Sequence, residues 1–398
     1  MRVLIVHNSY RQPGGEDVVA EQEARLLRRL GHYVVEYRRS NRELPDGVLS
    51  TLAMGRRLIW ASDAIREISE VVRRERPDIS HFHNTMPMIS PGAYYACRRL
   101  GVPVVQSLHN YRLLCPKGDL FRKGGVCEEC LGRAVTWPGV WHGCYHDSRF
   151  QTGAVAAMLA VHRALGTWRD QVDVYIALTE FARRKLVEGG IPAEKVVLKP
   201  NFVEPDPGGG GGDGDYAIFV GRIVPQTLTT MLDAWKLAPD LPLKLVGSGA
   251  EEPEVARRIE NRGLGGVVRV NGPVPRSQVF DLIRGALFLL FPSPWYETFG
   301  MATIEAFACG VPVIAARVGA MAEIVEERRT GLHFSPGDAG DLAEKVRWAA
   351  SHRPEMRRMG DNARRTFEEK YSAAQNGPAL TAAYEKAITL SRARHVVN

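Results

Sequence analysis

Long apolar runs, a full cysteine framework and a complete dinucleotide-binding glycine fingerprint are all missing from this 398-residue chain. No apolar run approaches the ~20 residues of a membrane-spanning helix. The start turns polar at His7-Asn8-Ser9, too early for a signal-peptide core, so we interpret it as a first strand and expect a cytoplasmic protein. In a chain expected to be cytoplasmic, six cysteines argue against a disulfide scaffold. The absence of a complete dinucleotide-binding glycine fingerprint disfavours a nicotinamide cofactor.

What is present is typical of a soluble globular enzyme, with 45% hydrophobic and 24% charged residues. The length favours two or three domains. The net charge is +7, and residues 1–200 hold 29 Lys and Arg against 21 Asp and Glu. This basic half suits a phosphorylated substrate or an anionic membrane leaflet, although most of its arginines lie on predicted solvated helix faces. It has no aromatic-studded basic run, so we expect no nucleic-acid partner.

Short apolar runs alternate with helical patterns twice along the chain. Helix candidates include Asp17–Leu30 and Leu58–Arg76. The predicted strands are Val3–Val6, Tyr33–Tyr37, Ile79–His83, Val102–Leu108, Val174–Leu178, Val196–Lys199, Ala217–Val220, Leu243–Val246, Val267–Val270, Ala286–Phe291 and Val311–Ala315. Strands buried on both faces that alternate with helices predict an α/β fold of two Rossmann-like, doubly wound parallel-sheet domains.

A glycine run marks the predicted boundary between these domains. Pro205-Asp206-Pro207 is followed by five consecutive glycines, Gly208 to Gly212. Because glycine has no side chain to pack, we interpret this run as a flexible joint. The predicted domains are 1–200 and 215–375, joined by a hinge at 201–214.

Ligands of such sheets bind beyond the carboxyl ends of the strands, so the residues directly after each strand are candidates for a binding site. Gly14-Gly15 comes after the first strand and opens a helix, a place where backbone amides can receive an anion, although a plain tight turn fits equally well. His83 and His109-Asn110 lie at the ends of two further strands. A structural role is the alternative for either histidine.

The second half carries a denser constellation. Glu297 precedes a predicted helix start at Thr298-Phe299-Gly300-Met301, and Glu305 lies in the second turn. Two carboxylates there can hold sugar and ribose hydroxyls while the positive helix end faces a diphosphate. Two surface carboxylates that flank a helix are the alternative. Upstream, Gly221-Arg222 suits a phosphate clamp, and Gly247-Ser248-Gly249 forms a strand-end turn.

In their order and spacing these motifs, with Phe291-Pro292-Ser293 and Gly310-Val311-Pro312, resemble those of the retaining GT-B glycosyltransferases of family 4 over nearly the whole chain. The resemblance implies two domains that face each other across a cleft, with the acceptor on the first and a UDP- or GDP-sugar on the second. It also implies that a final helix at 376–398 crosses back to the first domain. The implied reaction transfers a glycosyl group with retention and needs no cofactor or catalytic metal.

The resemblance also assigns roles to individual residues. The implied catalytic residues are His109, Glu297 and Arg222. Residues His83 and Asn110 fall on the acceptor side. The implied donor-binding residues are Gly14, Gly15, Gly221, Gly247, Thr298, Phe299, Gly300, Met301 and Glu305. The departing diphosphate would accept the acceptor's proton, so the protein would supply charge stabilisation and exclude water.

One departure from the family pattern concerns a lysine. Family members commonly carry Pro-Glu-Lys-Gly soon after Gly-Arg, and that lysine clamps the diphosphate. Here the segment after Arg222 reads Ile-Val-Pro-Gln-Thr-Leu, so no lysine is present near Gln226 and Thr227. A lost charge-assisted contact of this kind is worth roughly 1.5–3 kcal/mol. Three explanations of the missing lysine are open. Another cation takes its place, the donor binds more weakly, or the chain is a compromised enzyme.

Four cysteines cluster soon after His109, in the loop 115–144. They are Cys115, Cys127, Cys130 and Cys144, with the spacing C-x11-C-x2-C-x13-C. A structural zinc ion, a reversible disulfide and free thiols are all compatible with this spacing. Cys97 and Cys309 lie in apolar helical settings and are interpreted as core residues.

The same loop carries Trp137 and Trp141 among several cations. Such a surface fits a lipid-phosphate or other anionic acceptor and peripheral contact with the inner face of a membrane. A structural loop whose tryptophans pack inward is the alternative. For the whole chain we expect sugar transfer to a lipid-linked, polysaccharide or small-molecule acceptor. A nucleotide-sugar epimerase fits the glutamate pair less well, and a non-catalytic sugar-nucleotide-binding protein remains the alternative because of the missing lysine.

Overall fold

The computed structural model describes residues 1–11, 14–43, 48–238, 240–249 and 252–397. The chain divides into two compact units. The first comprises residues 1–122, 127–200 and 376–398, and the second comprises 123–126 and 201–375. Within the described ranges, no helix combines the length and apolarity needed to cross a bilayer.

The first unit is built on a six-stranded parallel sheet. Its chain contains β1 (Arg2–Ser9), β2 (Tyr33–Ser40), β3 (Ile79–Phe82), β4 (Val104–Ser107), β5 (Phe121–Arg122), β7 (Val174–Ala177) and β8 (Val196–Leu198). The intervening segment 123–126 holds β6 (Gly125–Val126), the second strand of a short hairpin with β5. The large sheet has the order β2-β1-β3-β4-β7-β8. Val3 to Val6 of β1 are fully buried, which explains why this strand is apolar without alternation.

Helices pack around this sheet. They are α1 (Gly15–Arg29), α2 (Val48–Ile59), α3 (Ser62–Glu75), α4 (Gly92–Arg99), α5 (Trp137–His142), α6 (Arg149–Ala164) and α7 (Glu180–Glu188). The single helix predicted over Leu58–Arg76 is wrong, because Trp60 and Ala61 separate α2 from α3. The Ala61 amide donates to Ser90 Oγ at 2.9 Å, so a distant side chain takes the hydrogen bond that a continuous helix would have made.

The second unit repeats the architecture with a second parallel sheet. Its strands are β9 (Ala217–Val220), β10 (Leu243–Val246), β11 (Val268–Gly272), β12 (Phe288–Phe291), β13 (Val313–Ala316) and β14 (Gly331–Phe334), in the order β11-β10-β9-β12-β13-β14. Its helices are α8 (Pro225–Leu237), α9 (Glu252–Glu260), α10 (Arg276–Arg284), α11 (Met301–Ala308), α12 (Met321–Ile324), α13 (Ala339–Ser351) and α14 (Arg353–Thr366). Two such sheets confirm the predicted α/β class.

The glycine run at 208–212 is packed against the second unit. The Gly211 amide donates to the Cys309 carbonyl at 3.0 Å. A Cβ on Gly211 would lie 2.9 Å from that same carbonyl oxygen, and one on Gly214 would lie 1.9 Å from the Gly285 oxygen. Gly211 and Gly214 therefore serve a close approach of two backbones, whereas a Cβ on Gly208 or Gly210 would meet nothing within 4 Å. The hinge at 201–214 stays a prediction.

The last helix, α15 (Ala373–Val397), joins the first unit from Asn376 onward. Buried Lys199 donates hydrogen bonds to Glu23 of α1 and to Asn376 Oδ1, the latter at 3.0 Å. Further along α15, the hydroxyl of Tyr384 lies 2.8 Å from His81 Nδ1. The buried hydrogen bonds of Asn376 and Tyr384 thus tie the helix to the first unit.

Candidate functional site

Two histidines meet at the carboxyl ends of neighbouring strands in the first unit. His83 follows β3 and His109 follows β4, and their rings stack with centroids 5.3 Å apart. Nδ1 of His83 lies 3.0 Å from Nε2 of His109. Burial, with His7 and Lys199 nearby, lowers the pKa of His109 to about 3. Both rings are therefore neutral hydrogen-bonding groups at physiological pH, since burial also lowers the pKa of His83.

Behind this pair lies the carboxylate of Glu23. Among the described residues, Glu23, His81 and His83 are the only group with three metal-type donor atoms within 4.8 Å of one another. Both ring nitrogens of His81 are already engaged, by Tyr384 and by Ser107 at 2.8 Å each. Glu23 is ion-paired with Lys199, whose charge opposes a cation. The group is therefore a structural network and a poor metal site.

The glycine turn at the start of α1 is capped from within the chain. The Gly14 amide donates to Asp17 Oδ2 at 2.7 Å, and Asp17 Oδ1 lies 2.9 Å from His7 Nε2. Gly15 begins the helix. The Gly14 amide that we expected to receive an anion is thus occupied by a carboxylate of α1 itself. Burial raises the pKa of neighbouring Glu16 to about 8.

The structure brings three predicted residues of the first unit around one cavity. His83, His109 and Asn110 line a cavity of about 40 Å³ together with Gln106 and Arg112. Sequence reasoning missed the last two residues. Gln106 lies in β4 and donates to the His83 carbonyl at 2.8 Å. The sequence signal for it was a polar residue close to the end of a predicted strand. The Arg112 guanidinium adds a positive charge to the cavity wall.

In the second unit, Gly300 sets the start of α11. It is the N-cap residue with φ 95°, and a Cβ there would lie 2.7 Å from Met321 Cε. Only glycine fits this left-handed, crowded position. The preceding Phe299 packs against Tyr371 with ring centroids 5.8 Å apart, so its side chain is structural. The backbone of Thr298 to Met301 turns into the helix at this point, as the sequence predicts.

The two predicted glutamates lie on either side of this helix start, and each has a hydrogen-bond donor. Trp295 Nε1 donates to Glu297 Oε1 at 2.7 Å, and the Arg276 guanidinium donates to Glu305 Oε1 at 2.9 Å. Burial raises the pKa of Glu305, while Arg276 opposes that shift. Sequence reasoning missed Arg276. The signal in the sequence was a cation directly after Pro275. Arg276 is the first residue of α10, the helix that follows β11.

The loops after β9 and β10 pack backbone against backbone. A Cβ on Gly247 would lie 2.0 Å from the Gly221 oxygen, and one on Gly249 would lie 2.2 Å from the Ile223 oxygen. The Ile223 amide donates to the Ser248 carbonyl at 2.8 Å. This packing requires the glycines and fixes the turn that carries Arg222. The Arg222 side chain is exposed and has no ion pair with the described residues.

The two residues at the expected place of the clamp, Gln226 and Thr227, lie in helix α8. Helix α8 begins at Pro225, so Gln226 and Thr227 lie in its first turn. Thr227 is 1% exposed and its hydroxyl donates to the Val224 carbonyl at 3.1 Å, whereas Gln226 is exposed. Of these two residues, only Gln226 has room for a longer cationic side chain.

The cysteines of the loop 115–144 converge in the first unit. Cys115, Cys127, Cys130 and Cys144 all line one small cavity. The tryptophans of the same loop point outward, with Trp137 56% and Trp141 64% exposed. The alternative in which both tryptophans pack inward is therefore wrong.

Comparison with known families matches nearly the whole chain. Residues 13–207 match the family described as Glycosyltransferase Family 4, and residues 206–366 match Glycosyl transferases group 1. A similar curated relative is D-inositol 3-phosphate glycosyltransferase 2 of Catenulispora acidiphila, 35% identical over 38% of this chain and 38% of the relative. The chain spans about two fifths of the length of the curated relatives that it matches.

Solved structures extend the likeness over the full length. Sucrose-phosphate synthase from Thermosynechococcus elongatus has a TM-score of 0.72 at 16% identity, covering 98% of this chain and 100% of that one. Anabaena HepE, crystallised with UDP and glucose, has a TM-score of 0.69 at 16% identity, covering 97% and 99%. These likenesses show the GT-B fold. With both family models matched in succession, the chain belongs to the GT-B glycosyltransferases of family 4, glycosyl transferases group 1.

Proposed function

We propose that this protein transfers a sugar from a nucleotide-diphosphate sugar to an acceptor hydroxyl with retention of anomeric configuration. The bond between the anomeric carbon and the diphosphate oxygen breaks, and a bond to the acceptor oxygen forms. The acceptor's proton passes to the departing diphosphate, so no enzymic nucleophile and no catalytic metal take part. The protein's task is to stabilise charge on the leaving group.

One observation carries this proposal: Glu297 and Glu305 lie on either side of the α11 start, and each is held by a named donor. Arg276 orients the Glu305 carboxylate, which suits an acceptor of two ribose hydroxyls. The Trp295 indole orients Glu297, which suits contact with the donor sugar. Between them, the amides of Met301 and Ala302 at the start of α11 suit a diphosphate oxygen, whereas the Thr303 amide donates to the Gly300 carbonyl at 3.1 Å.

The remaining roles depend on charge and protonation. Arg222 is an exposed cation on a rigid turn and suits the diphosphate. His109 is a neutral imidazole at working pH, which suits a hydrogen bond to the donor sugar near the reacting bond. Relatives of this fold support the donor class, since HepE is crystallised with UDP and with UDP-glucose.

For the acceptor we propose a sugar, lipid-linked or small-molecule hydroxyl compound, in cell-surface polysaccharide, glycolipid or glycoside synthesis. His83, Asn110 and Arg112 around the first unit's cavity supply hydrogen bonds and one positive charge for it. The exposed tryptophans of the loop 115–144 and the basic first half of the chain support peripheral contact with an anionic membrane at the inner face of the cell.

A second candidate, a non-catalytic sugar-nucleotide-binding protein, is favoured by the missing lysine near Gln226. Incubation with UDP-, GDP- and ADP-sugars separates the two candidates. For a transferase, the donor should raise the melting temperature in a thermal-shift assay. The enzyme should also consume the donor, slowly by hydrolysis when no acceptor is present and faster when an acceptor is added. Protection of the donor without consumption would overturn the transferase proposal. NMR of the product's anomeric proton tests retention, and an inverted product would overturn that part alone.

A further inference from the structure

Four of the six cysteines lie around one cavity of the first unit, outside the residues assigned to sugar transfer. The cavity measures about 10 Å³, and its lining includes Cys115, Cys127, Cys130 and Cys144. Cys97 and Cys309, the other two cysteines, are fully buried in helical settings elsewhere. Four thiols therefore converge although the first and the last are 29 positions apart in the chain.

The surrounding segment has little apolar packing of its own. Most residues from Arg122 to Val135 are exposed or only partly buried, and the hairpin β5–β6 has two residues in each strand. Helix α5 has only six residues. Such short elements rarely hold a fixed fold without a cross-link, and a metal ion is a common one in small cores.

The Cys130 sulfur lies against the start of helix α5. A Cβ on Gly139 would lie 3.5 Å from Cys130 Sγ, so the glycine lets its backbone approach the sulfur. The Cys130 thiol lies 3.9 Å from the Thr136 carbonyl oxygen, and the Gly139 amide donates to that same carbonyl at 3.1 Å. These contacts place one sulfur of the C-x2-C pair beside the backbone of α5, the helix whose last turn precedes Cys144.

Charged residues line the same cavity. Lys117 and Arg122 are its cations and Glu129 is an anion. Lys117 pairs with Asp119 at 2.9 Å, and Arg122 pairs with Glu129. A divalent ion with four thiolates carries two net negative charges, and the two cations lie where they can offset part of that charge. Because cysteine binds a metal as the thiolate, metal binding would release protons from these thiols.

We propose that Cys115, Cys127, Cys130 and Cys144 bind one structural zinc ion in a tetrahedral four-thiolate site. Thiolate ligands select zinc over the oxygen-binding cations magnesium and calcium. Among the described residues no three of these sulfurs all lie within 4.8 Å of one another, so binding draws them inward. The ion would fix helix α5, which carries Trp137 and Trp141, and the proposal is independent of sugar transfer.

The metal content of the full chain, purified with zinc and a reductant, tests this site. We expect one zinc per chain, and near-zero zinc in the variant C127S/C130S. The matched control C97A/C309A removes two thiols elsewhere and should keep one zinc. A wild-type chain without bound zinc would overturn the proposal. So would a mass measured without reductant that shows disulfides among the four cysteines.

A second measurement does not depend on the variant's folding. Cobalt exchanged into the wild-type chain should give the absorption of a tetrahedral ion together with sulfur-to-cobalt charge-transfer bands. Zinc should displace the cobalt and abolish these bands. A cobalt spectrum of an octahedral ion without charge-transfer bands would show oxygen ligands and overturn the thiolate assignment.

Discussion

Nδ1 of His83 lies 3.0 Å from Nε2 of His109, and the two rings are within 14° of parallel. On its far side, Nε2 of His83 lies 3.5 Å from a carboxylate oxygen of Glu23. Neither of these two atoms has a hydrogen-bond partner among the described residues, so the carboxylate does not fix the tautomer of His83. One of the two facing nitrogens, Nδ1 of His83 or Nε2 of His109, carries the proton of their hydrogen bond and the other accepts it. His83 therefore acts as a positioning residue for the His109 ring.

Replacement of His109 by alanine should reduce transfer by about 10²-fold or more, as for loss of one positioned donor to a developing charge. Nucleotide affinity should stay nearly intact, because the residues assigned to the nucleotide lie in the second unit. Steady-state transfer and calorimetric UDP binding measure the two effects. His32→Ala, which removes another imidazole of the first unit, is the control. A fully active His109→Ala enzyme would remove this residue from the site.

The protonation of His109 gives a pH prediction. Its pKa falls from 6.5 to about 3 in the folded chain, so only the unfolded chain binds a proton there as the pH drops below 6.5. The residue therefore contributes stability that is present above pH 6.5 and is lost as the pH falls toward 3. Histidine-selective NMR should find its ring neutral between about pH 5 and 8. A titration midpoint near 6.5 would contradict the burial described above.

The two glutamates of the second unit should separate binding from turnover. Glu305→Ala should weaken nucleotide binding, both by losing the carboxylate and by leaving Arg276 without its partner. Glu297→Ala should mainly lower the turnover of bound donor. Binding isotherms and donor hydrolysis measure these effects, with Glu344→Ala on an exposed turn of α13 as the control. Wild-type behaviour of both variants would remove the motif from the site.

A cation placed at the exposed Gln226 tests the missing lysine. Gln226→Lys should tighten UDP binding about 10-fold if no other cation fills that place, since one charge-assisted hydrogen bond is worth roughly 1.5–3 kcal/mol. Gln226→Met, of similar length and without charge, is the control. Unchanged affinity in the lysine variant would mean that another cation already serves the diphosphate.

The outward-facing tryptophans should matter for the acceptor. The Cζ atom of Arg133 lies 5.6 Å from the ring centre of Trp137, and that of Arg149 lies 5.2 Å from the ring centre of Trp141. Joint replacement of the two tryptophans by alanine should raise the acceptor KM and leave donor hydrolysis unchanged. Salt-sensitive sedimentation with anionic vesicles should weaken in parallel. Leu237→Ala, another exposed apolar side chain, is the control. Unchanged acceptor kinetics with lower thermal stability would make the loop purely structural.

Local patterns in the sequence predict much of the fold. Ala217–Val220 and Leu243–Val246 are confirmed to the residue, because each is a short apolar-rich run that ends at a glycine turn. The α11 start at Gly300 is likewise predicted, since a glycine that follows a buried strand and precedes an apolar helix gives a strong local signal.

Features that depend on distant contacts are the ones missed. Strand β14 reads Gly-Leu-His-Phe, and its glycine and histidine interrupt the apolar pattern that marks the other strands. The break between α2 and α3 depends on Ser90, and the link between Arg276 and Glu305 joins residues 29 positions apart. The sequence gives no local signal for the contact between Gly211 and Cys309, because that contact forms only when the second unit folds.

The attachment of α15 to the first unit has a consequence for synthesis. Asn376 accepts from Lys199 and donates to the Pro200 carbonyl at 2.6 Å, and Tyr384 holds His81. Neither Asn376 nor Tyr384 exists until the ribosome has passed the whole second unit. The first unit can thus be completed only after the second has been translated. A message truncated at codon 375 would remove one partner each from buried Lys199 and His81 and leave Glu23 and Ser107 as their remaining partners, in a nascent protein that is still exposed to proteases.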